Sequence, residues 1–176
     1  GRILELAWGR GIEAPVEDAV VRGPADEIIP SRILKLTGLG PADLTLAVAE
    51  EAVFARLRAV VEALPRPLAV VHFARFEAPF LDELWRRHTE AGSHPFTMIC
   101  THAISRRIFP DLPSRSIRAI AGYLGLCVDA AKRAASHVHA TRHIWRSLCE
   151  VLAEKHRVTT VEGLAQWLED GKPRKG

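Results

Sequence analysis

The stretch Leu68-Ala-Val-Val-His-Phe-Ala-Arg-Phe-Glu-Ala-Pro-Phe-Leu81 joins two segments of different hydrophobic period. Residues 68–72 form a short apolar run rich in β-branched residues, which is typical of a buried strand. From Phe76 to about Glu90 the apolar residues recur at helical spacing, and one face of this segment carries Phe80, Leu81, Leu84 and Trp85. The change of period predicts a strand followed closely by a helix, which is the unit of α/β folds.

The segments upstream and downstream of this stretch continue the alternation. Upstream, the pattern predicts strands at residues 3–8, 18–22 and 26–29, and then a helix that ends before Pro65 and Pro67. Downstream, it predicts a strand over Phe96–Cys100, a helix from a Ser114 cap to Tyr123, a long helix over Ala134–Lys155, and a last helix with a Thr159-x-x-Glu162 capping box. This order predicts a mixed sheet flanked by helices.

Composition places the chain among soluble globular proteins. Its 176 residues suggest one main folded unit, with 48% hydrophobic and 26% charged residues. The net charge of +3 is too small to indicate a nucleic-acid partner by itself. The three cysteines form no CxxC pair, which favours a reducing, cytoplasmic location. No apolar run approaches the ~20 residues of a membrane span.

Four segments, taken in order, resemble the DEDDh 3′–5′ exonucleases, the family of the proofreading epsilon subunit of bacterial DNA polymerase. Arg2-Ile-Leu-Glu-Leu-Ala is similar to the family's second strand, and Ile29-Pro30 with Ile33-Leu-Lys-Leu-Thr-Gly-Leu-Gly is similar to its "IP…LTGIT" segment. The stretch 68–81 resembles "LVAHNAxFDxxFL". Residues 116–125, followed by Arg133-Ala and Ala140-Thr141, resemble "SLxxLAxxLG…HRAxxDAxAT".

The resemblance implies a ribonuclease-H-like α/β fold. It implies an exonuclease-like domain over residues 1–156, followed by a C-terminal helix at 157–170 and a disordered tail at 171–176. The family's first strand would precede Arg2, so the domain is expected to lack that strand in this chain.

Exonucleases of this family hold two divalent metals with four carboxylates, while a histidine activates the attacking water. The first two carboxylates lie in a DxE motif on the strand that would precede Arg2, and Glu5 does not replace them because it matches a different glutamate. The third carboxylate matches Glu77, the general base matches Lys132, and the fourth carboxylate matches His137. Glu77 alone would be a weak Mg²⁺ or Mn²⁺ ligand, so no cofactor is expected unless the protein is an active enzyme.

Two other groups of residues are candidates for nucleic-acid contact. The segment Thr37-Gly38-Leu39 matches the family's loop near the nucleic-acid 3′ end, although Gly38 can equally be a simple helix stop. A local basic cluster could contact phosphates or could be a solvated surface: Arg106, Arg107, Arg115 and Arg118.

Histidines and a cysteine give further weak patterns. His139 and His143 could share a metal, but they also fit a polar stripe on the long helix with Arg142. His137 lies off that stripe and is expected to be a core or pocket histidine. Cys100 and His102 could form a ligand pair, or Cys100 could be a buried thiol that packs as a small apolar residue.

The leading hypothesis is a degenerate exonuclease-like domain of DNA replication, DNA repair or RNA processing type. It would bind DNA or RNA at a single-stranded 3′ end, alone or with a protein partner or fused domain, without efficient hydrolysis. One alternative is an active exonuclease whose DxE strand lies upstream of the given sequence. The other is a protein-interaction module that does not bind nucleic acid.

Overall fold

The computed structural model describes residues 2–24, 28–127 and 132–171. Two strands open the chain, β1 (Glu5–Gly9) and β2 (Val16–Val20), followed by helices α1 (Ser31–Thr37), α2 (Pro41–Thr45) and α3 (Glu50–Glu62). Strand β3 (Leu68–Val71) leads into α4 (Ala74–His88), and β4 (Thr97–Cys100) leads into α5 (Thr101–Ile108). The chain then forms α6 (Ile117–Tyr123), α7 (Ala134–His156) and α8 (Val161–Asp170).

The strands form both antiparallel and parallel pairs, as expected of a mixed sheet. β1 and β2 are antiparallel, with Glu5 opposite Val20 and Gly9 opposite Val16. β3 and β4 are parallel, and their last residues, Val71 and Cys100, lie side by side. Among the described residues these pairs form two separate two-stranded sheets. Helix α7 packs against β1, β2 and β3, so one long helix supports both sheets.

Two large clusters of buried side chains form most of the core. The first lies under β1, α3 and α4 and includes Val53, Phe54, Leu84 and Trp85. The second lies between α5, α6, α7 and α8, where Ile104, Ile120, Ile144 and Leu148 are fully buried. Together they fix the ends of β3 and β4 between α4 and α7. Within the described ranges, no helix is both long and apolar enough to cross a bilayer.

The structure corrects the sequence predictions at several helix starts. The cap of α6 is Ser116 rather than Ser114, because the Ser116 hydroxyl accepts a hydrogen bond from the Ala119 amide at 3.3 Å. The cap of α8 is Thr160 rather than Thr159, because its hydroxyl accepts from the Gly163 amide at 3.0 Å. Helices α1 and α5 were not predicted, and the predicted strand at 26–29 lies partly outside the described residues, with no strand at 28–29.

Candidate functional site

The carboxyl ends of the parallel strands β3 and β4 form the candidate site. Because Val71 pairs with Cys100, the next residues of the two strands, His72 and Thr101, also lie together. The His72 Nδ1 atom is 2.9 Å from the Thr101 hydroxyl, and its Nε2 atom is 3.1 Å from the Arg115 carbonyl oxygen. Ligands of open α/β sheets bind beyond the carboxyl ends of strands, so this position favours a binding role.

His72 is a neutral, fixed side chain at this edge. Burial, and then the nearby charges of His102 and His137, lower its pKa to about 4, although the hydrogen bond to the Arg115 carbonyl opposes the shift. In the neutral ring, Nε2–H donates to that carbonyl, so Nδ1 is an acceptor that faces the Thr101 hydroxyl, whose single hydrogen also lies within reach of the Val71 carbonyl at 3.2 Å. Both ring nitrogens are therefore occupied, and His72 joins β3 to α5 and to the segment before α6.

Glu77, the match to the family's third carboxylate, lies half-buried in the first turn of α4. Burial raises its pKa above the usual value for a glutamate. Within the described residues no hydrogen bond or ion pair accompanies this shift. The environment therefore disfavours the anionic form that a hard cation such as Mg²⁺ requires.

Lys132, the match to the general base, lies against the Gly38 turn. A Cβ atom placed on Gly38 would lie 3.4 Å from both Cβ and Cδ of Lys132. Gly38 itself has φ of 71° and ends α1 by donating its amide to the Leu34 carbonyl at 2.8 Å, so the helix-stop interpretation is correct. Two segments that are far apart in sequence are thus brought together beside the start of α7.

The other residues of this turn differ in exposure. Thr37 donates its hydroxyl to the Ile33 carbonyl at 2.9 Å, which fixes the turn. Leu39 is buried, with 4% of its surface exposed, and it packs with Val20 and Ala47. Of the three residues predicted to contact nucleic acid, Leu39 thus has a buried side chain.

His137, the match to the fourth carboxylate, is exposed in the first turn of α7. Its prediction as a core or pocket histidine was wrong, because the buried stripe of α7 begins only at Ala140. It still lies close enough for its charge to lower the pKa of His72. His137 therefore adds an imidazole to the same edge as His72.

The predicted basic cluster is divided between two places. Burial, followed by the positive charges of Arg106 and Arg115, lowers the pKa of His102, so these arginines lie near the strand ends. Arg107 instead stacks on the Trp167 ring of α8, with its guanidinium carbon 3.9 Å from the ring centroid. Arg118 is exposed on α6. Arg106 and Arg115 are thus the members of the cluster nearest the candidate site.

An ion-pair network that was not predicted fixes the start of α7. Arg133 binds the Glu5 carboxylate at 2.7 Å and the Asp43 carboxylate at 2.8 Å. Glu5 also accepts from the Ala134 amide at 3.0 Å, and its side chain is only 6% exposed. Arg133 was recognised only as part of a motif, since sequence spacing gives no sign that β1, α2 and α7 meet.

The remaining histidines and Cys100 have structural contacts. A His143 ring nitrogen lies 3.1 Å from the Leu124 carbonyl oxygen, and Arg142 is half-buried beside Gly9, so the predicted solvated stripe is partly covered. Cys100 is half-buried, and its Sγ atom accepts from the Ala74 amide at 3.4 Å. In the part of the chain that the structure describes, no three histidine, cysteine, aspartate or glutamate residues are grouped to hold a metal.

Two aromatic side chains next to the strand ends are exposed. Phe73 is 42% exposed and Phe76 is 57% exposed, although both belong to the first turn of α4 or its cap. The Phe73 ring contacts the His102 ring edge-to-face, with centroids 4.9 Å apart. Sequence analysis treated residue 73 only as the position where the family has asparagine, and the signal it missed was an apolar residue at a helix cap.

Comparison with known proteins places this geometry in context. No protein-family model matches the chain. The chain is 27% identical over 144 residues to the DNA polymerase III subunit epsilon of Aquifex aeolicus (strain VF5), a match that covers 82% of this chain and 69% of that protein. Its fold is similar to the structure of exonuclease X in complex with 5′ overhanging duplex DNA, with a TM-score of 0.66, 19% identity, and coverage of 94% of this chain and 90% of that chain.

The chain is thus similar in sequence to an epsilon subunit and similar in fold to an exonuclease, and its four motif segments resemble the DEDDh 3′–5′ exonucleases. That family's metal pair requires several carboxylates, whereas the matching positions described here hold Glu77, Lys132 and His137. One carboxylate with a raised pKa, an ammonium group and an imidazole do not fit a Mg²⁺ pair.

Proposed function

We propose that this chain binds nucleic acid at a single-stranded 3′ end through its exonuclease-like domain and does not hydrolyse it efficiently. The role fits DNA replication, DNA repair or RNA processing, where such a domain would hold a strand for a protein partner or a fused domain. The proposal rests mainly on the sign of the charge at the carboxyl ends of β3 and β4.

The charge at this edge favours phosphate over a metal pair. In-line attack on a phosphodiester needs cations that stabilise both the attacking and the leaving oxygen. Glu77 is the one family-matched carboxylate among the described residues, and burial raises its pKa above the usual value. Basic side chains lie near these strand ends, because the charge of His137 acts on His72 and the charges of Arg106 and Arg115 act on His102. Such a surface attracts the phosphate backbone directly.

The relatives support a nucleic-acid ligand rather than a purely protein ligand. The curated relative is a subunit of a DNA polymerase, and the similar structure is of an exonuclease bound to duplex DNA. Phosphate contacts require only basic side chains, whereas hydrolysis also requires the metal ligands. The strand ends could therefore bind nucleic acid without hydrolysing it.

A nuclease assay with a binding arm tests the proposal. Labelled single-stranded DNA and RNA are incubated with the protein and Mg²⁺ or Mn²⁺, and we expect no release of 3′ nucleotides. The same oligonucleotides should bind without added metal, with an affinity that falls steeply as salt is raised.

The variant Glu77→Gln is the matched control for the nuclease assay. Robust metal-dependent digestion that Glu77→Gln abolishes would show an active exonuclease and reject the proposal. Digestion that persists unchanged in Glu77→Gln would also reject the proposal, unless the activity separates from the protein on size-exclusion chromatography, which would mark a contaminating nuclease. No binding even at low salt would instead favour a protein-interaction module.

A further inference from the structure

Phe73 has a backbone conformation that its residue type disfavours. It is the N-cap of α4, with φ of 66° and ψ of 59°, in the left-handed region. Asparagine, aspartate and glycine tolerate this region, whereas a bulky apolar residue there is a genuine outlier. N-caps also favour side chains that accept a hydrogen bond, and the Phe73 ring accepts none from α4.

Burial of the Phe73 side chain does not offset the cost of this left-handed backbone conformation. The Phe73 side chain is 42% exposed, and its ring contact is the edge of His102 at 4.9 Å. Phe76, one turn further along, is 57% exposed. Strained residues persist where the surrounding structure holds them, and they are concentrated at binding and catalytic sites.

One basic side chain lies on the helix that contacts the ring. His102 and Arg106 are four residues apart on α5, so they share one face of that helix. The Arg115 backbone is held at the same strand ends by the hydrogen bond from His72, while its guanidinium donates to the Phe109 and Pro110 carbonyls. Proteins that bind single strands combine aromatic faces, on which bases stack, with cations that follow the backbone.

We infer that the Phe73 ring is a stacking platform for an unpaired nucleobase, with Arg106 beside a flanking phosphate. This inference rests on the proposed function and adds to it a base contact supplied by a residue at which the chain departs from the family pattern. An unpaired base suits the site better than an apolar partner, because the exposed ring is bordered by positive charge.

The test measures fluorescence anisotropy of a labelled single-stranded oligonucleotide and of the same oligonucleotide with abasic sites near its 3′ end. The abasic form keeps every phosphate but offers no base to stack. Phe73→Ala should weaken binding of the normal oligonucleotide about 5- to 150-fold, the range of one lost base–aromatic stack, while Phe73→Trp should bind as the wild type does. Binding of the abasic oligonucleotide should be the same for all variants.

Two controls keep the test decisive. Leu64→Ala removes an apolar side chain of similar exposure, 40%, near the opposite end of β3, and should leave binding unchanged. Phe73→Asn removes the ring but suits the left-handed backbone, so it should fold even if Phe73→Ala does not, and it should show the same loss of affinity.

The outcomes separate this inference from the proposed function. If the wild type does not bind either oligonucleotide at low salt, both are overturned. If the wild type binds with the expected salt dependence, but Phe73→Ala and Phe73→Asn bind equally well, only the stacking inference is overturned. It is also overturned if the variants convert a dimer to a monomer without loss of affinity, because a second copy of the chain would then cover the ring.

Discussion

Glu77 is the residue on which the proposal of binding without hydrolysis most depends. The family's metal centre needs carboxylates that remain anionic, and the burial of Glu77 raises its pKa instead. The sequence shows two features of Glu77. It stands at the aspartate of the family's "LVAHNAxFDxxFL" motif, and its side chain is one methylene longer than aspartate. The sequence does not show the direction of its pKa shift, because that direction depends on the tertiary packing around α4.

We predict that Glu77→Gln stabilises the folded protein at pH 7 by about 1 kcal/mol. The folded-state pKa lies above the usual 4.5, so the native state binds the proton more readily than the unfolded chain. The charged carboxylate therefore destabilises the fold above its folded-state pKa, and this penalty disappears as pH falls below the usual value. Urea unfolding at pH 7 and pH 4 should show the gain only at pH 7.

Glu90→Gln is the matched control, because Glu90 is exposed after the end of α4 and should give little change at either pH. A clear loss of stability in Glu77→Gln at pH 7 would contradict this account of Glu77. It would mean that a nearby cation or hydrogen bonds stabilise the anionic carboxylate in the native protein.

At the scale of elements, the Glu5–Arg133–Asp43 network determines where α7 begins. Glu5 of β1 binds both the Arg133 side chain and the Ala134 amide, so it acts as a cap supplied by another element. Hydrogen bonds from Gly40 and Arg133 lower the pKa of Asp43, which keeps this second carboxylate charged. The network places Lys132 against Gly38 and His137 near His72.

We predict that Glu5→Gln lowers the free energy of unfolding by roughly 1–3 kcal/mol, because it removes a charge-assisted hydrogen bond at a nearly buried site. Glu17→Gln is the control, since the Glu17–Arg56 pair is exposed on both sides and should contribute less than about 1 kcal/mol. Chemical denaturation of both variants provides the measurement. Equal effects would show that the network does not stabilise α7 beyond an ordinary surface pair.

The predictions succeeded where the pattern was local and failed where neighbouring elements decide the outcome. The long helix, β3 and β4 were placed within about two residues, because their hydrophobic periods are strong. Helix α5 was missed because it starts directly after β4, with Cys100 rather than a polar residue at its cap. The caps of α6 and α8 were displaced because two hydroxyl residues stand close together at each start.

For the whole molecule, α7 is the element that unites the fold and the candidate site. It packs against β1, β2 and β3, while its first turn carries His137 at the edge where β3 and β4 end. The fold class followed from the order of elements and from the four motif segments. The basic character of the strand ends emerged only from the tertiary arrangement, which brings His137 near His72 and brings Arg106 and Arg115 near His102.

The most direct test of the central claim is to soak crystals of the protein in Mn²⁺ and measure anomalous scattering beside Glu77. A site with one buried, protonation-prone carboxylate among basic side chains should bind no manganese, so the account predicts no anomalous peak there. Two peaks about 4 Å apart, within coordination distance of Glu77 and other acidic groups, would contradict it and would indicate a two-metal exonuclease.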